Sequence, residues 1–281
     1  MLRRLAAFLA VLAVVLAACG GPTTPALTDP KEILSKTTLS LAGVKTSHLQ
    51  IDLSGKVSAD LTGTGSASTF DLTGTTATID SDIAGKKAKV TFSAPAFFGA
   101  GGELLVVDNA AYYKLIGPLA QFSAPGGKYT KVAIPDLTGI ASGLAPSPSA
   151  AASPSLSPEE LVAKLNEALS KLPTPPVKGA DEKIGDQDCY RVTVHLTAAD
   201  LATLSSPEPL ASNAPSDITF DIWSRKSDLR PAKIALGLTL PQGTVTLTLT
   251  ATYDQAVNIT APSADQVVEG TLPIPLPSSA P

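Results

Sequence analysis

"GTVTLTLTATYD", residues 243–254, is the stretch that decides the fold. Val245, Leu247, Leu249, Ala251 and Tyr253 alternate with five threonines. A period of two sends the apolar set to one side of a pleated strand and the hydroxyls to the other. Such a strand belongs in an antiparallel sheet with one face packed and the other able to meet water.

The same pattern repeats outward along the chain. In "SHLQIDLSG" (47–55), Leu49, Ile51 and Leu53 oppose Gln50 and Asp52, and "TTATIDSDI" (75–83) and "KKAKVTFSA" (86–94) continue the alternation. Gly55, Gly63, Gly74 and Gly85 punctuate these runs at hairpin spacing. "GELLVVDNAAYYKLIG" (102–117) reads as two strands around Asp108-Asn109-Ala110, and "KYTKVAI" (128–134) as one more. In "CYRVTVHL" (189–196), Tyr190, Val192, Val194 and Leu196 face one way, with Cys189, Arg191, Thr193 and His195 on the other side. "TAADLATL" (197–204) reads as one or two helical turns, and "ITFDIWSRK" (218–226) and "PAKIALGLTL" (231–240) alternate again.

Two segments carry helical signals instead. Asp29, Pro30 and Glu32 have the spacing of a capped helix start, Ile33, Leu34 and Leu41 form one apolar side, and Gly43 is a natural stop. This predicts a helix over 30–42. In "SPEELVAKLNEALSKL" (157–172), Ser157 caps, Pro158 comes first, Glu160 completes the capping box, and Leu161, Leu165, Ala168, Leu169 and Leu172 make a stripe. The order is helix, many strands, helix, many strands. It predicts an α+β fold: a large, curved antiparallel β-sheet, a half-barrel, with helices packed on one face.

The ends and one loop have a different character. Arg3 and Arg4, the apolar run Leu5–Leu16 and the small residues Ala17 and Ala18 form a secretory signal. That run is shorter than the roughly 20 residues a spanning helix needs. Cys19 stands where cleavage would fall, so "LAAC" (16–19) reads as a lipobox, against a plain secretory signal with an incidental cysteine. The expected organisation is a signal peptide over 1–18 and a flexible tether over 19–29. The folded domain then runs over 30–265, with a mobile Pro/Ser loop at 141–157, and a disordered Pro-rich tail covers 266–281. Two or more acyl chains on Cys19 would give stable anchoring. The expected location is outside the cell membrane, held to it by the N-terminal lipid.

Composition narrows the functions. Only 16% of the 281 residues are charged and the net charge is −4, which argues against a nucleic-acid partner. About 235 residues remain without signal and tail, enough for one large domain or two small ones. With Cys19 lipidated, Cys189 has no intramolecular partner, so stability must come from a core.

Signals for chemistry are few. His48 and His195 lie far apart in the chain, and neither has zinc-ligand spacing around it. Cys189 reads as a half-buried small residue without the basic neighbours that would activate it. "FFGAGGE" (97–103) leads into a strand and not into the helix a phosphate loop requires. There is no G-x-S-x-G elbow. Asp181, Glu182, Asp186 and Asp188 lack the turn and closing glutamate of a calcium loop. The expectation is a non-enzyme with no metal and no cofactor. A hydrolase would need His195 near a serine and a carboxylate in space.

The order of these motifs resembles the LppX/LprA/LprF/LprG family of bacterial envelope lipoproteins. The stretches that carry the resemblance are "LAAC", "KAKVTFSAPAFFGAGGELLVVDNAAYYKL" (87–115), "GGKYTKV" (126–132), "EKIGDQDCYRVTVHLTAADLATL" (182–204), "ITFDIWSRKSDLRPAKIAL" (218–236) and "GTVTLTLTATYDQAVNITAPSAD" (243–265). The resemblance implies a half-barrel similar to the LolA/LolB fold, with helices on its concave side and a hydrophobic cavity between. It also implies that the protein carries acylated lipids or glycolipids across the envelope, with a membrane transporter as a further partner; a monomer is expected. The Pro/Ser insertion before the second helix departs from the pattern near the implied cavity mouth. The residues expected to line the cavity are Leu161, Leu165, Leu169, Val192, Val194, Ile222, Leu236, Leu238, Val245, Leu247 and Leu249, each of which could equally be core. The competing expectation is a non-carrier surface lipoprotein, a scaffold or sensor with its interior filled by side chains.

Overall fold

The computed structural model describes residues 26–60, 66–133, 157–204 and 214–270. The signal peptide, Cys19, most of the Pro/Ser loop and the end of the tail lie outside the described residues.

Both capped helices form. In α1 (Pro30–Ser40), the Asp29 side chain accepts the Lys31 N–H at 2.9 Å. In α2 (Pro158–Lys171), Ser157 Oγ accepts the Glu160 N–H at 3.2 Å while the Glu160 carboxylate accepts the Ser157 N–H at 2.7 Å. These reciprocal bonds satisfy amides that a helix leaves unpaired at its start. A third helix, α3 (Ala198–Leu204), follows the strand that contains His195.

The strands run in chain order as β1 (Thr46–Ala59), β2 (Ser68–Asp71), β3 (Thr75–Asp82), β4 (Lys87–Ala94), β5 (Ala100–Val107), β6 (Ala110–Ile116) and β7 (Tyr129–Ala133). After α2 come β8 (Val177–Lys178), β9 (Glu182–Ile184), β10 (Gln187–Thr197), β11 (Asp217–Arg225), β12 (Pro231–Leu240), β13 (Gly243–Tyr253) and β14 (Val267–Glu269). All join one sheet in the order β14-β7-β6-β5-β4-β3-β1-β13-β12-β11-β10-β8, with β2 on β1 and β9 on β10. The sheet is not closed: β14 and β8 are its two edges.

Hairpins build most of each half, and a long ladder between β1 and β13 joins them at the centre of the sheet. β1 pairs with β13 from Ser47–Tyr253 to Val57–Gly243. Gly55 and Gly243 make this seam possible, because a Cβ on either would run into a carbonyl of the facing strand. Gly55 therefore lies inside β1 and not at a turn, which corrects its reading as hairpin punctuation. The Asp108-Asn109 turn matches its expectation, with φ of 50° and 62° at the two residues, the positive-φ geometry of a tight hairpin.

Three further corrections concern the ends and the ladder. The sheet is mixed and not wholly antiparallel, because β14 runs parallel to β7. β14 occupies residues assigned to the disordered tail, and its last rung is extended by the Gly270 N–H donating to the Lys131 carbonyl at 3.0 Å. The end of the tether is also held: Leu27 packs on the core, and its N–H donates to the Tyr190 hydroxyl at 3.2 Å.

A candidate lipid-binding face

Strand register turns separate alternations into one surface. Residues directly opposite each other in a ladder share a face. One apolar row runs Val192, Ile222, Ile234, Leu249, Ile51, Ala77 and Phe92 across β10, β11, β12, β13, β1, β3 and β4. Beside it run Val194, Phe220, Leu236, Leu247 and Leu53, then Leu196, Ile218, Leu238 and Val245. On the other side lie Leu49, Ile79, Val90 and Leu104.

The helices cover only one flank of this face. Ile33 and Leu34 of α1 and Leu169 of α2 form a buried cluster with Tyr190, Val192 and Ile222. Ile33 and Val192 have no exposed surface. Leu165, Leu172, Phe220 and Ile234 pack around them. A buried hydroxyl pair, Thr37 to Ser224 at 2.7 Å, ties α1 to β11. Leu169, Val192 and Ile222 are thus core side chains in a filled contact, and Leu165 flanks them.

The expected wall residues outside that cluster have other surroundings. Val194, Leu236, Leu238, Val245, Leu247 and Leu249 are half-buried on the sheet, and Leu161 on α2 is exposed. The face continues through residues the sequence reading did not include: Leu49, Ile51, Leu53, Ile79, Val90 and Phe92, all half-buried. Their alternation was visible, but only the β1–β13 and β1–β3 registers show that they lie beside Leu247 and Leu249. An open cleft of about 640 Å³ lies at one end of this face, lined by Val57, Ala59 and Leu240 with Ser58, Asp60, Ala67 and Gln242.

The opposite face is polar at its centre and holds the ionisable groups. Arg191 donates to Asp221 and to Glu182, each at 2.9 Å, and the Trp223 indole N–H donates to Glu182 at 2.9 Å. The Trp223 ring lies between Arg191 and Lys233, at 5.1 and 4.7 Å from its centroid. The indole hydrogen bond, then the Arg191 guanidinium, hold the Glu182 carboxyl below the usual range. Cys189 is wholly buried with Trp223 and Ala232, not half-buried, and burial pushes its thiol up. A thiol so shifted is a poor nucleophile.

Both histidines and Asp181 are engaged in pairs. His48 Nδ1 lies 2.6 Å from Asp80, and His195 Nε2 lies 2.6 Å from Asp217. Among the described residues no serine hydroxyl bonds to either histidine. Asp181 accepts from Lys178 and Lys226. Among the described residues no group of three His, Cys, Asp or Glu could hold a metal ion, and no helix is long and apolar enough to cross a membrane.

No family model and no curated protein matches the chain. Among solved structures it is similar to the lipoprotein LppX of Mycobacterium tuberculosis, at 14% identity and a TM-score of 0.43, covering 82% of this chain and 98% of that one. LprF from Mycobacterium bovis matches at 14% identity and a TM-score of 0.43, covering 84% and 97%. A chain of the Pseudomonas aeruginosa MucA/MucB complex matches at 13% identity and a TM-score of 0.31, covering 85% of this chain and 60% of that one.

Proposed function

We propose that this chain is a lipoprotein of the cell envelope, anchored outside the membrane through Cys19, that binds acylated lipids or glycolipids and carries them across the envelope. The observation that carries this reading is the apolar sheet face that the helices leave uncovered between β12 and β4. In the proposal the sheet curls as a half-barrel, α1 and α2 stand on its concave side, and the guest's acyl chains lie along Leu236, Leu238, Val245, Leu247 and Leu249 and their neighbours Ile51 and Leu53. The sequence resemblance supports the same role.

The mechanism is partition without a covalent step. The protein is not an enzyme in this reading and needs no cofactor. An acyl chain of ~16 carbons moved between water and apolar walls is worth roughly 12 kcal/mol, at about 0.8 kcal/mol per methylene. Release into water would forfeit that energy. The guest must pass to another apolar environment, such as a bilayer or a membrane transporter.

Lipid extraction and native mass spectrometry of the protein purified from its own host test the reading. Co-purifying acyl lipid is the expected result, reduced in a folded Leu247→Asp variant. A preparation free of lipid would sink it. A non-carrier role, as a scaffold or sensor, is the second reading. It is favoured by the filled contact in which Ile33 and Val192 meet with no exposed surface.

A further inference from the structure

One end of the sheet carries exposed apolar side chains far from the helices. Phe98 is 80% exposed, and Phe97, Ile116 and Phe122 are also exposed. They belong to the β4–β5 connection and to the end of β6 with the 3-10 helix after it. The β4–β5 loop lies beside the end of β6, with Gly101 opposite Ile116 in the ladder, and a Cβ on Gly117 would strike the Gly99 carbonyl. After β6 the 3-10 helix Gly117–Phe122 folds back, so that Ser123 Oγ accepts the Leu115 N–H at 2.7 Å. Phe97 stacks on Phe70 of β2 at 6.3 Å between ring centroids.

Three independent features make this tip more than incidental apolar surface. Phe98 sits in the left-handed region at φ 58°, a conformation a bulky side chain avoids, yet its ring has little packing to compensate. Both segments are free of charge: residues 93–102 and 115–127 contain no Asp, Glu, Lys or Arg. Lys114 and Lys128 bound the second segment. Aromatic and aliphatic tips without charge, with the exposed Lys128 behind them and Lys114 held over the Tyr129 ring opposite Glu103, suit the boundary between acyl chains and phosphate headgroups.

We propose that the Phe97-Phe98 loop and the Ile116–Phe122 segment form a bilayer-docking tip that inserts its side chains to the depth of the headgroup and upper acyl region. The tip lies at the opposite end of the strands from Ile83 and from Leu27, where the chain leads back toward Cys19. From Cys19 to Ala26 the chain reaches at most about 25 Å, at roughly 3.5 Å per residue. The tip therefore provides a second membrane contact, separate from the tether. This inference does not depend on lipid carriage, since a non-carrier could dock in the same way.

The test uses the full chain as its host processes it, reconstituted in phosphatidylcholine–phosphatidylglycerol vesicles. An environment-sensitive nitrobenzoxadiazole label is placed at Phe98→Cys, at Phe122→Cys, or at Ile83→Cys on the opposite end; Cys189 is buried and stays unlabelled. Spin-labelled phosphatidylcholine is present either in the same vesicles or in added ones. The expected result is strong quenching and a blue shift for the labels at 98 and 122, at least several-fold above the label at 83. Quenching by the added vesicles alone would support the tip with an opposing bilayer as its target. Equal quenching at all three positions, or none at 98 and 122 in folded protein, would overturn the proposal. Protection of those labels only by an envelope protein fraction would overturn the bilayer and assign the tip to a protein partner.

Discussion

Two regions of one sheet face contain the same kinds of side chain and meet different fates. On the β10–β11 flank, Val192 and Ile222 are sealed under Ile33, Leu34 and Leu169. On the next three strands, Leu236, Leu247 and Leu53 occupy the same apolar surface and remain half-buried. Neither hydrophobicity nor strand propensity separates them; the reach of two short helices does. α1 and α2 are long enough to close one flank and not the centre. The covered flank supplies stability, and the uncovered centre is the surface that the proposed function assigns to the guest. The far end of α2 shows the same limit, since Leu161 belongs to the stripe but is exposed, as is Leu41 just beyond α1.

Substitutions should break this contrast in a graded way. The largest effect is expected at Ile33→Ala, which opens a cavity in the filled contact and should cost about 2–5 kcal/mol in urea unfolding. Ser224→Ala should come next. It leaves the Thr37 hydroxyl buried without its partner, and the expected cost is about 1–3 kcal/mol by the same measurement. Leu247→Ala on the bare centre should cost no more than about 1 kcal/mol, because solvent already reaches the site. That variant should nevertheless carry less lipid by mass spectrometry. A stability loss at Leu247 equal to that at Ile33 would erase the distinction between the two regions.

A further effect, confined to alkaline pH, concerns two phenols. Burial pushes the Tyr253 phenol up to about 12, against the opposing influence of Arg225 and Arg230. Tyr129 is pushed up to about 12 by burial and by its hydrogen bond to Glu103. A raised pKa means the folded state holds its proton longer than the unfolded chain does. The contribution is therefore complete below about pH 10 and is lost as pH rises toward 12. Unfolding midpoints followed over that window should fall, and Tyr253→Phe should fall less steeply than the parent.

Much of the architecture was legible because local rules are enforced by near neighbours. The Asp29 and Ser157 caps, the Asp108-Asn109 turn and the alternation of β13 each depend on contacts a few residues away. Gly55 misled because glycine serves both turns and close strand approach, and only the partner strand distinguishes them. Val267 and Val268 favour a strand, but three residues are too short a run to read as one, and the pairing with β7 is a tertiary event.

The candidate site divides along the same line. That Leu247 and Leu249 share a face with Val245 follows from the period of two alone. That Leu53 and Ile51 lie beside them, that Val192 is sealed, and that Phe98 stands in solvent beside Ile116 depend on pairings between residues up to about two hundred positions apart. Sequence by itself determined which side of each strand is apolar, because pleating couples side-chain direction to parity. Only the tertiary structure decided which part of that apolar surface is covered, because cover depends on where distant helices come to rest.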